Sequence, residues 1–561
     1  MVPSTNEVRT IAPRAGEGDC AQVIESEERI RESYADYLED ESRFGAASVD
    51  RLVFPRCEEQ VATVLAEAQD AGTEVTVSAG RTGIVGGAVP NRGTLVSLVE
   101  MNRVRGISRR DDGRLVLRVE PGLSIAELAD MLDRRELGLQ PEELSPEERG
   151  ALDAFTTDER GFFYPPDPTE DTAHIGATVA TNASGARSFR YGATREHVQS
   201  MRVCLPGGDV LALERGACVA DGRTFRIVRS GDVTEVTVPS YVMPATKNAA
   251  GYYAAEGMDL VDLFVGSEGT LGIVTEVGLL LTRRPGGTLS ALAFFPSDGD
   301  AVAFVRHARG DLDAGVPDAI SALAYEFFDS RSLAFLRSRK EEQGQSSSIP
   351  ELPEGAAAGV LFEQEFEDED DLMAAYEAWE EVLSAHGSSM EQTWGGMEEA
   401  DLERLKALRH ALPEEVNNTI ARAKAEHPEI HKIGTDAAVP PGALEEVLED
   451  YRDALDGTGL EHVVFGHIGD NHLHLNILPK DPGELAAAER LAVRFAAKAV
   501  ELGGTVSAEH GIGKLKHAFL ELLYGEQGLS EMAGTKLALD PDGLLNRDVM
   551  FPERLLTGSG T

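Results

Sequence analysis

The feature that most constrains this chain is a histidine-rich segment near its C-terminal end, HIGDNHLHLN at residues 467–476. Apolar runs at 463–465 and 475–478 flank its Gly-Asp-Asn triplet, a pattern typical of a strand, a tight turn and a second strand. If His467 lies opposite His474 in such a hairpin, their Cβ atoms are about 4.5–5.5 Å apart. Two imidazoles at that spacing can bind one metal ion at about 2.0–2.1 Å.

A second segment, SAEHGIGK at 507–514, contains the candidate for a third ligand. Glu509 would complete a set of two neutral imidazoles and one carboxylate, which leaves coordination positions open for water or substrate. His510 lies beside it, and nearby glycines allow both side chains to turn into one pocket. A single histidine in a strand is more often structural than a ligand, but four of the chain's thirteen histidines fall within these two segments. We therefore predict a divalent metal site at His467, His474 and Glu509, with zinc expected and manganese or iron as alternatives.

Length and composition indicate a globular protein of two or three domains, because 561 residues are too many for one ordinary core. No apolar run approaches the ~18 residues of a membrane span, and the first residues lack the apolar stretch of a signal peptide. We therefore expect a cytoplasmic protein, with peripheral contact to the inner membrane left open. The formal charge of −45 argues against a nucleic-acid partner, since phosphate binding needs a basic surface. Such acidity is typical of adaptation to high salt, although an acidic bacterial protein without that adaptation remains an alternative.

The four cysteines are too widely spaced to bind a metal through thiolates. They stand at positions 20, 57, 204 and 218, without a Cys-x-x-Cys pair. This excludes a thiolate zinc site or an all-cysteine iron–sulfur cluster within the chain. We expect reduced, structural cysteines.

A glycine-rich loop follows the first clear strand–helix–strand pattern, which we predict at 52–55, 58–72 and 74–80. The loop, AGRTGIVGGAVP at 79–90, leads into a further strand at 94–101. Its four glycines bring backbone N–H groups close enough to bind a diphosphate: Gly80, Gly83, Gly86 and Gly87. Because no helix follows the loop, the pattern favours a strand–loop–strand nucleotide site over a Rossmann turn.

Two further segments are rich in small residues. At 176–186, Gly, Ala, Ser and Thr would let a flat aromatic ring approach the backbone, with hydroxyls and Asn182 free to bond its edges. A small-residue turn beneath a helix is the alternative there. At 262–269 we predict a buried strand and turn, and at 270–281 another strand. Three such segments converging on one ligand favour a cofactor site more than any one of them.

Taken together, five motifs resemble the vanillyl-alcohol-oxidase superfamily of FAD enzymes. They are the loop at 79–90, GATVATNASG at 176–185, LFVGSEGTLGIVTE at 263–276 and the two histidine segments. Within the superfamily they resemble the branch of D-lactate dehydrogenases, D-2-hydroxyglutarate dehydrogenases and the glycolate oxidase flavin subunit. The resemblance covers about residues 47–552.

This resemblance implies an α+β fold of two domains. A PCMH-type FAD-binding domain would span 47–285, with subdomains at about 47–105 and 106–285. An α+β cap domain of the FAD-linked oxidase C-terminal type, with an antiparallel sheet, would span 286–561. Residues 1–46 read as a helical N-terminal lead-in, and the acidic stretch 140–161 as a surface insertion.

The resemblance also implies a set of FAD contacts. The expected residues are Ser78, Ala79, Gly80, Arg81, Thr82, Gly83, Gly86, Gly87, Pro168, Gly176, Thr178, Thr181, Asn182, Ser184, Gly185, Glu268, Gly272, Ile273 and Asn546. The family usually has glycine where Arg81 stands, so this guanidinium either faces the diphosphate or turns away. Relatives that tether flavin commonly use histidine or cysteine, and residues 78–90 contain neither. We therefore expect non-covalent FAD, although His174 lies close to the small-residue segment.

In the cap, the resemblance assigns the substrate site. Arg409, in a helix predicted at 397–412 that stops before Pro413, matches an arginine that binds the substrate carboxylate. Lys432 matches a lysine at the same site, and Asn476 is expected to bond the substrate. Each of the two cations taken alone could equally be a solvated surface residue.

The expected function is that of an FAD-dependent dehydrogenase that oxidises a small D-2-hydroxy acid to the 2-oxo acid. D-Lactate is the first candidate substrate, and glycolate and D-2-hydroxyglutarate are the others. His510 would accept the hydroxyl proton with the help of the metal, and hydride would pass to flavin N5. His472 stands where the family commonly has a different turn residue, so it is an extra or rival metal ligand.

Two other functions remain open from the sequence. One is an FAD-binding electron-transfer subunit of a larger complex. The other is a non-redox flavoenzyme similar to alkyl-glycerone-phosphate synthase. For the dehydrogenase, the expected electron acceptor is a quinone, a cytochrome or an electron-transfer flavoprotein, and a homodimer is compatible with the sequence.

Overall fold

The computed structural model describes residues 5–16, 20–45, 48–312, 315–344, 347, 349 and 351–556. The strands, in chain order, are β1 Glu7–Arg9, β2 Gln22–Ile24, β3 Arg51–Phe54, β4 Val75–Ser78, β5 Thr94–Ser97, β6 Val104–Arg109, β7 Leu115–Val119, β8 Phe162–Phe163, β9 Val198–Cys204, β10 Val210–Glu214, β11 Thr224–Arg229, β12 Asp232–Thr237, β13 Ile273–Leu280, β14 Thr282–Arg283, β15 Gly287–Phe295, β16 Ala322–Phe328, β17 Ala358–Phe366, β18 Trp394–Gly396, β19 Ile433–Gly434, β20 His462–Gly466 and β21 His474–Ile477. The α-helices are α1 Glu27–Ser33, α2 Glu58–Ala71, α3 Ile125–Arg134, α4 Pro146–Thr157, α5 Ile175–Thr181, α6 Ser188–Tyr191, α7 Thr194–His197, α8 Leu260–Phe264, α9 Asp298–Arg309, α10 Ser330–Gln343, α11 Glu369–Ala385, α12 Glu399–Lys424, α13 Leu444–Leu455, α14 Pro482–Glu501 and α15 His517–Leu539, the last bent at Gly525.

A four-stranded sheet in the order β2-β3-β5-β4 carries the glycine-rich loop. Strands β3 and β4 both run parallel to β5, and the loop at 79–90 leaves the end of β4. Helix α2 covers this sheet with an apolar stripe that includes Val61 and Leu65, and it ends at Gly72 with a φ of 62°. The loop therefore starts at the carboxyl edge of parallel strands, where ligands commonly bind.

A five-stranded antiparallel sheet in the order β10-β9-β13-β7-β6 packs behind α2. Its central strand β13 is buried along its whole length. Helix α2 is joined to this sheet through a buried ion pair, in which Arg202 of β9 donates hydrogen bonds of 2.8 and 2.7 Å to Glu58 of α2. Helices α5 and α8 lie on this sheet and bring the small-residue segments to the side that faces the glycine-rich loop.

The C-terminal half is built on a seven-stranded sheet in the order β18-β15-β17-β16-β20-β21-β19. All its pairs are antiparallel, which confirms the predicted cap with an antiparallel sheet. One face packs on α9 and α11, where Trp379 stacks on Phe362 with ring centroids 4.2 Å apart. The other face packs on α10 and α12 through a separate apolar cluster. The fold is therefore α+β, as predicted.

The chain then returns to the four-stranded sheet. The backbone N–H of Asn546 donates to Val75 of β4 at 2.8 Å, and the Asn546 side-chain oxygen accepts from the Val77 N–H at 2.8 Å. Asn546, near the end of the chain, therefore packs against β4, the strand that leads into the glycine-rich loop.

The predicted helical lead-in is only partly helical. Strand β1 pairs with β11, and strand β2 pairs with β3, so residues that read as a polar lead-in complete two sheets. Residues 1–4, 17–19 and 46 of this segment, and 557–561 at the other end, lie outside the described residues. An edge strand of three residues is too short to show the alternation of apolar and polar residues by which strands are recognised, above all in a polar sequence.

The acidic stretch 140–161 contains the largely exposed helix α4, which packs on β6 with Ala151 and Phe155 buried, and its origin as a surface insertion stays a prediction. Two other local predictions were wrong. The segment predicted as a strand at 262–269 falls on the short helix α8, because short buried apolar runs do not distinguish the two. Helix α12 was predicted to stop before Pro413, but it continues through this residue. Proline has no N–H to donate to the carbonyl of Arg409, so one helical hydrogen bond is missing. The buried side chains of Leu412 and Val416, on either side of Pro413, keep the helix packed on one face.

All four cysteines are free thiols, as expected. Within the described residues, no helix is long and apolar enough to cross a membrane.

Candidate active site

A cavity of about 350 Å³ lies where the glycine-rich loop, helix α5 and residues 264–274 meet. Gly83 and Gly87 line it, and a Cβ added at Gly83 would meet nothing within 4 Å, while one at Gly87 would meet only Glu268 Oε2 at 3.8 Å. The missing side chains therefore leave backbone open toward the cavity. Such exposed backbone, with small residues around it, fits a flat ring system linked to a diphosphate.

Most of the predicted FAD contacts line this cavity. They are Ser78, Ala79, Arg81, Thr82, Gly83, Gly87, Pro168, Gly176, Thr178, Thr181, Ser184, Glu268, Gly272, Ile273 and Asn546. The remaining four lie outside its lining, namely Gly80, Gly86, Asn182 and Gly185. Gly80 packs on His174, Gly86 faces Phe44, Asn182 ends helix α5 with a φ of 49°, and Gly185 packs on Asp167.

The guanidinium of Arg81 stacks on an aromatic ring at the start of the glycine-rich loop. Its φ is 60°, in the left-handed region that the family's usual glycine adopts without strain. The guanidinium lies over the ring of Tyr37, 4.1 Å from the centroid, and donates to the carbonyl of Ala79 at 3.3 Å. A cation–π contact of about 0.5–1 kcal/mol helps to offset the backbone strain.

The loop 507–514 is attached to the flavin cavity by two side chains. The carboxylate of Glu268 accepts from the N–H groups of Ile512 and Gly513 at 2.8 and 2.7 Å. The ammonium of Lys514 donates to the carbonyl of Val89 and, at 2.7 Å, to Asn91. Burial raises the pKa of Glu268 to about 7, although the two N–H donors act against it.

Next to the cavity, four side chains form a cluster that suits a metal ion. Ligand atoms of His467, His472, His474 and Glu509 all lie within 4.8 Å of one another. His467 Nε2 lies 3.2 Å from Glu509 Oε1, and His474 Nε2 lies 3.9 Å from Glu509 Oε2. The structure thus brings together the three predicted ligands and His472, the extra or rival ligand.

The geometry that joins His467 to His474 differs from the predicted hairpin pair. His474 pairs with Phe465, while His467 begins a 3₁₀ turn beyond the end of β20. Their ring centroids are 5.8 Å apart. The direct cross-strand pairing was therefore wrong, because the loop between the strands is longer than the tight turn that we predicted.

Both imidazoles are held with Nε2 toward Glu509. Nδ1 of His467 bonds the carboxylate of Glu326, and Nδ1 of His474 bonds the carbonyl of Thr435 at 3.1 Å. Metal-binding histidines usually donate one ring N–H to a carboxylate or carbonyl oxygen, which leaves the other ring nitrogen available to the metal. Burial lowers the pKa of His467, but the carboxylates of Glu326 and Glu509 outweigh it and raise that pKa to about 9.

His472 is fully buried, and neither of its ring nitrogens has a hydrogen-bond partner among the described residues. Its Nε2 lies 3.2 Å from an oxygen of Asp436 but is not aligned for a hydrogen bond. Burial lowers the pKa of its imidazole, so the neutral form that binds metals is favoured. Unpartnered buried nitrogens beside Glu509 support a divalent ion at this cluster.

Glu509 is also bound by a cation from the flavin-binding side. The ammonium of Lys247 contacts its carboxylate, donates to the Gly185 carbonyl at 3.1 Å and lies 3.5 Å from Asp470. Ser184 adds a hydrogen bond of 3.3 Å to Glu509. Burial raises the pKa of Glu509, but His467 and Lys247 outweigh it and keep that pKa well below its usual value.

Of the predicted substrate residues, Arg409 joins the cluster indirectly. Its Nε lies 3.8 Å from Glu326, whose other oxygen bonds His467. Asn476 is buried on β21, two residues from His474 and on the same face. Lys432 lies just before β19 and is exposed, with no ion-pair partner among the described residues. Its role in substrate binding stays a prediction.

His510 lines the flavin cavity, and behind it lies a buried carboxylate that sequence reasoning missed. Asp436 accepts hydrogen bonds from the backbone N–H groups of Glu509 at 3.2 Å and His510 at 3.1 Å, and from the Lys516 ammonium at 2.8 Å. Its Oδ2 lies 3.3 Å from His510 Nδ1. Burial raises the pKa of Asp436, but His510 and Lys516 outweigh it and hold that pKa well below its usual value.

Sequence reasoning also missed Glu326 and Lys247. Glu326 stands in a strand of otherwise apolar residues, which is a signal for a partnered buried charge. Lys247 lies before the small-residue segment at 262–269 and outside the sequence motifs described above.

Two family models match the chain. The model described as "FAD binding domain" matches residues 49–151 and 150–214, and the model "FAD linked oxidases, C-terminal domain" matches residues 285–549.

Curated relatives match over most of the chain. The "Glycolate oxidase subunit GlcD" of Bacillus subtilis is 28% identical over 90% of this chain and 89% of its own length. The "D-lactate dehydrogenase" of Anaerostipes hadrus is 29% identical over 91% of each chain. The "D-2-hydroxyglutarate dehydrogenase" of Stutzerimonas stutzeri is 27% identical over 92% of this chain and 94% of its own.

Solved structures share the fold. A 4-ethylphenol oxidase from Gulosibacter chungangensis superposes with a TM-score of 0.60 at 17% identity, over 95% of both chains. An alkyldihydroxyacetonephosphate synthase superposes with a TM-score of 0.56 at 15% identity, over 89% of this chain and 77% of the other. The chain belongs to the FAD-linked oxidases, a family of FAD-dependent oxidoreductases, and within it to the branch that includes the D-lactate dehydrogenases, the D-2-hydroxyglutarate dehydrogenases and the glycolate oxidase flavin subunit.

Proposed function

We propose that this protein is an FAD-dependent dehydrogenase of small D-2-hydroxy acids, with D-lactate as the first candidate and glycolate or D-2-hydroxyglutarate as alternatives. One observation carries the proposal. Glu509 and His510 both line the flavin cavity, and Glu509 is at the same time the carboxylate that His467 and His474 face. A substrate hydroxyl held at this cluster would therefore lie next to a histidine and to the flavin.

The substrate would be held at two points. Arg409 would bind its carboxylate, since its guanidinium lies beside Glu326, the partner of His467, and approaches Glu326 only to 3.8 Å. This distance leaves its donors available for a bidentate pair with a carboxylate. Lys432 and Asn476 would add hydrogen bonds. The substrate hydroxyl would be held at the metal. With both the carboxylate and the hydroxyl fixed, only one enantiomer directs its Cα hydrogen toward the cavity, and orientation of this kind contributes several kcal/mol to catalysis.

His510 would accept the hydroxyl proton. It lies beside Glu509, and its ring stacks on that of His474 with centroids 5.5 Å apart. His467, His474 and Glu509 would hold a divalent ion, zinc first and manganese or iron as alternatives, with His472 as a further or rival ligand. Such an ion lowers the pKa of a bound hydroxyl. Bound FAD accepts a hydride at N5.

FAD would be bound non-covalently. Among the described residues that line the cavity there is no cysteine, and the single histidine, His510, lies beside the metal cluster. Precipitation with acid should release yellow flavin into the supernatant, whereas colour retained in the pellet would contradict this point.

An anaerobic titration tests the whole proposal. The purified holoprotein is mixed with D- and L-lactate, glycolate and D- and L-2-hydroxyglutarate, and the flavin absorbance is followed. We expect bleaching by at least one of the acids, with the D-form strongly preferred for chiral substrates. No bleaching by any acid would favour an electron-transfer subunit or a non-redox flavoenzyme. After bleaching, reoxidation by a quinone, a cytochrome or an electron-transfer flavoprotein would identify the acceptor.

A further inference from the structure

The carboxylate of Asp436 accepts four hydrogen bonds beside the cluster. Its side chain is 2% exposed and lies in the short loop after β19. It accepts from the Ser507 hydroxyl at 2.6 Å and from the Lys516 ammonium at 2.8 Å. A buried carboxylate with several good donors is fixed in one position.

Two further donors to the Asp436 carboxylate are the backbone N–H groups of Glu509 and His510. Glu509 N–H donates to one carboxylate oxygen at 3.2 Å and His510 N–H to the other at 3.1 Å. The same carboxylate therefore sets the backbone from which both side chains project. His510 Nδ1 then lies 3.3 Å from the oxygen that accepts from its own N–H.

We infer that Asp436 is a positioning residue that holds His510 as the tautomer with its proton on Nδ1, so that Nε2 is left unprotonated. This inference rests on the proposed function, in which His510 accepts the substrate proton. A ring nitrogen can accept a proton only when it carries none, so the tautomer decides whether His510 can act. At 3.3 Å the Nδ1 contact is close but not aligned, and such contacts commonly tighten when substrate binds.

Asp436 is poorly suited to being a metal ligand itself. One atom each of Asp436, His474 and His510 lie within 4.8 Å of one another, which resembles a second metal group. The Asp436 oxygens, however, already accept four hydrogen bonds, one of them from the ammonium of Lys516. A cation at this position would have to displace that ammonium. The arrangement therefore favours a carboxylate–histidine pair over a second ion.

The tautomer can be measured without any substrate. The zinc-loaded, FAD-bound protein labelled with ¹⁵N-histidine gives ring nitrogen signals for its thirteen histidines, and the His510→Asn protein identifies those of His510 by their absence. We expect a protonated Nδ1 and an unprotonated Nε2. A protonated Nε2, or a His510 signal that shifts on zinc removal as a ligand would, overturns the inference. This measurement needs no variant of Asp436 to fold.

Variants then test the link between the two residues. In Asp436→Asn, the new amide can donate an N–H to Nδ1 of His510, so we expect His510 to carry its proton on Nε2 instead. Flavin reduction should then be at least about 100-fold slower, with KM little changed. Ser507→Ala removes another donor to the same carboxylate and is the matched control, which should keep the Nδ1-protonated tautomer. Unchanged tautomers in Asp436→Asn would overturn the inference.

A double-mutant cycle separates positioning from a general structural effect. If Asp436 acts through His510, then Asp436→Asn should slow flavin reduction by less than about threefold in the His510→Asn background. A full additive loss there overturns the inference. If the wild-type flavin is not reduced by any 2-hydroxy acid, the proposed function fails, and the ring nitrogen signals still decide the role of Asp436.

Discussion

The flavin cavity and the metal cluster are neighbours, but they are built on opposite principles. The cavity is shaped by missing side chains, such as those of Gly83 and Gly87, and by backbone from segments that each form a local motif. The cluster is shaped by charged side chains that meet only through long-range packing. Glu509, for example, is bound by Lys247 and Ser184, which are 262 and 325 residues away in the chain.

Two buried carboxylates show what this difference does to a charge. Glu268 lies in the flavin cavity, where burial outweighs two N–H donors and raises its pKa to about 7. Glu509 is somewhat more exposed, and His467 and Lys247 outweigh burial and lower its pKa. The surroundings of Glu268 therefore favour its neutral form, whereas the cations around Glu509 stabilise its anion. A neutral surface suits an aromatic ring, and a stabilised anion suits a cation.

The largest expected effect comes from Glu509→Gln, which removes the charge that distinguishes the cluster. We expect metal affinity to fall by at least about 100-fold, because a lost ligand weakens binding at least as much as a lost outer-shell partner. Turnover should be lost with the metal, while FAD remains bound, since the cavity keeps its own contacts. Metal analysis and the flavin spectrum measure the two losses separately.

His510→Asn is the matched control, because it changes the adjacent residue without changing the charge of the cluster. It should retain metal and FAD and slow flavin reduction by about 10²–10⁴-fold. Full metal occupancy in Glu509→Gln would show that Glu509 is not a ligand, and His472 would become the leading substitute.

Arg409→Met tests the part of the cluster that faces the substrate. We expect KM for D-lactate to rise about 10- to 100-fold, which corresponds to the loss of a charge-assisted pair of about 1.5–3 kcal/mol. Arg404→Met is the control, because Arg404 lies on the same helix but is exposed and pairs with Asp401 at 3.4 Å. Equal KM values for both variants and the wild type, from steady-state kinetics, would remove Arg409 from the substrate site.

Glu268→Gln tests the claim that the cavity disfavours charge. Because the pKa of Glu268 is raised from 4.5 to about 7, its stabilising contribution is fully present below pH 4.5 and is lost as the pH rises through 7. The difference amounts to about 2–3 kcal/mol of unfolding free energy. Denaturant unfolding of the flavin-free protein between pH 5 and 8 should show this loss in the wild type and not in the glutamine variant. Parallel pH profiles would mean that Glu268 keeps an ordinary pKa.

The smallest expected effect comes from Gly87→Ala, which adds a methyl group to the cavity wall. The nearest atom to the new Cβ is Glu268 Oε2 at 3.8 Å, so the protein accommodates it, but the space offered to FAD is reduced. We expect the Kd for FAD to rise about tenfold, or 1.4 kcal/mol, with metal content unchanged. Gly534→Ala is the control, since a Cβ there meets nothing within 4 Å and lies outside the cavity lining. Fluorescence titration of the flavin-free protein with FAD compares them.

Local patterns were recovered well from the sequence. The apolar period of α2 and its glycine end, the strands β3, β4 and β13, and the glycine-rich loop were all predicted close to their observed positions. The three metal-ligand candidates were found together because histidines and a carboxylate in two short segments are a strong chemical signal. Their direct hairpin pairing was wrong, since strand register depends on loop length that the sequence did not reveal.

By itself, the sequence determined the chemistry that this protein can carry, because backbone freedom at glycine and the ligand properties of histidine and glutamate belong to the residues themselves. Only the tertiary structure decided which of these groups are charged, how they are oriented and what they contact. Glu326 behind His467, Asp436 behind His510 and Lys247 beside Glu509 are all brought in by sheet and loop packing across the molecule. Electrostatic interactions depend on distance and burial, and both arise from contacts between segments that lie far apart in the chain.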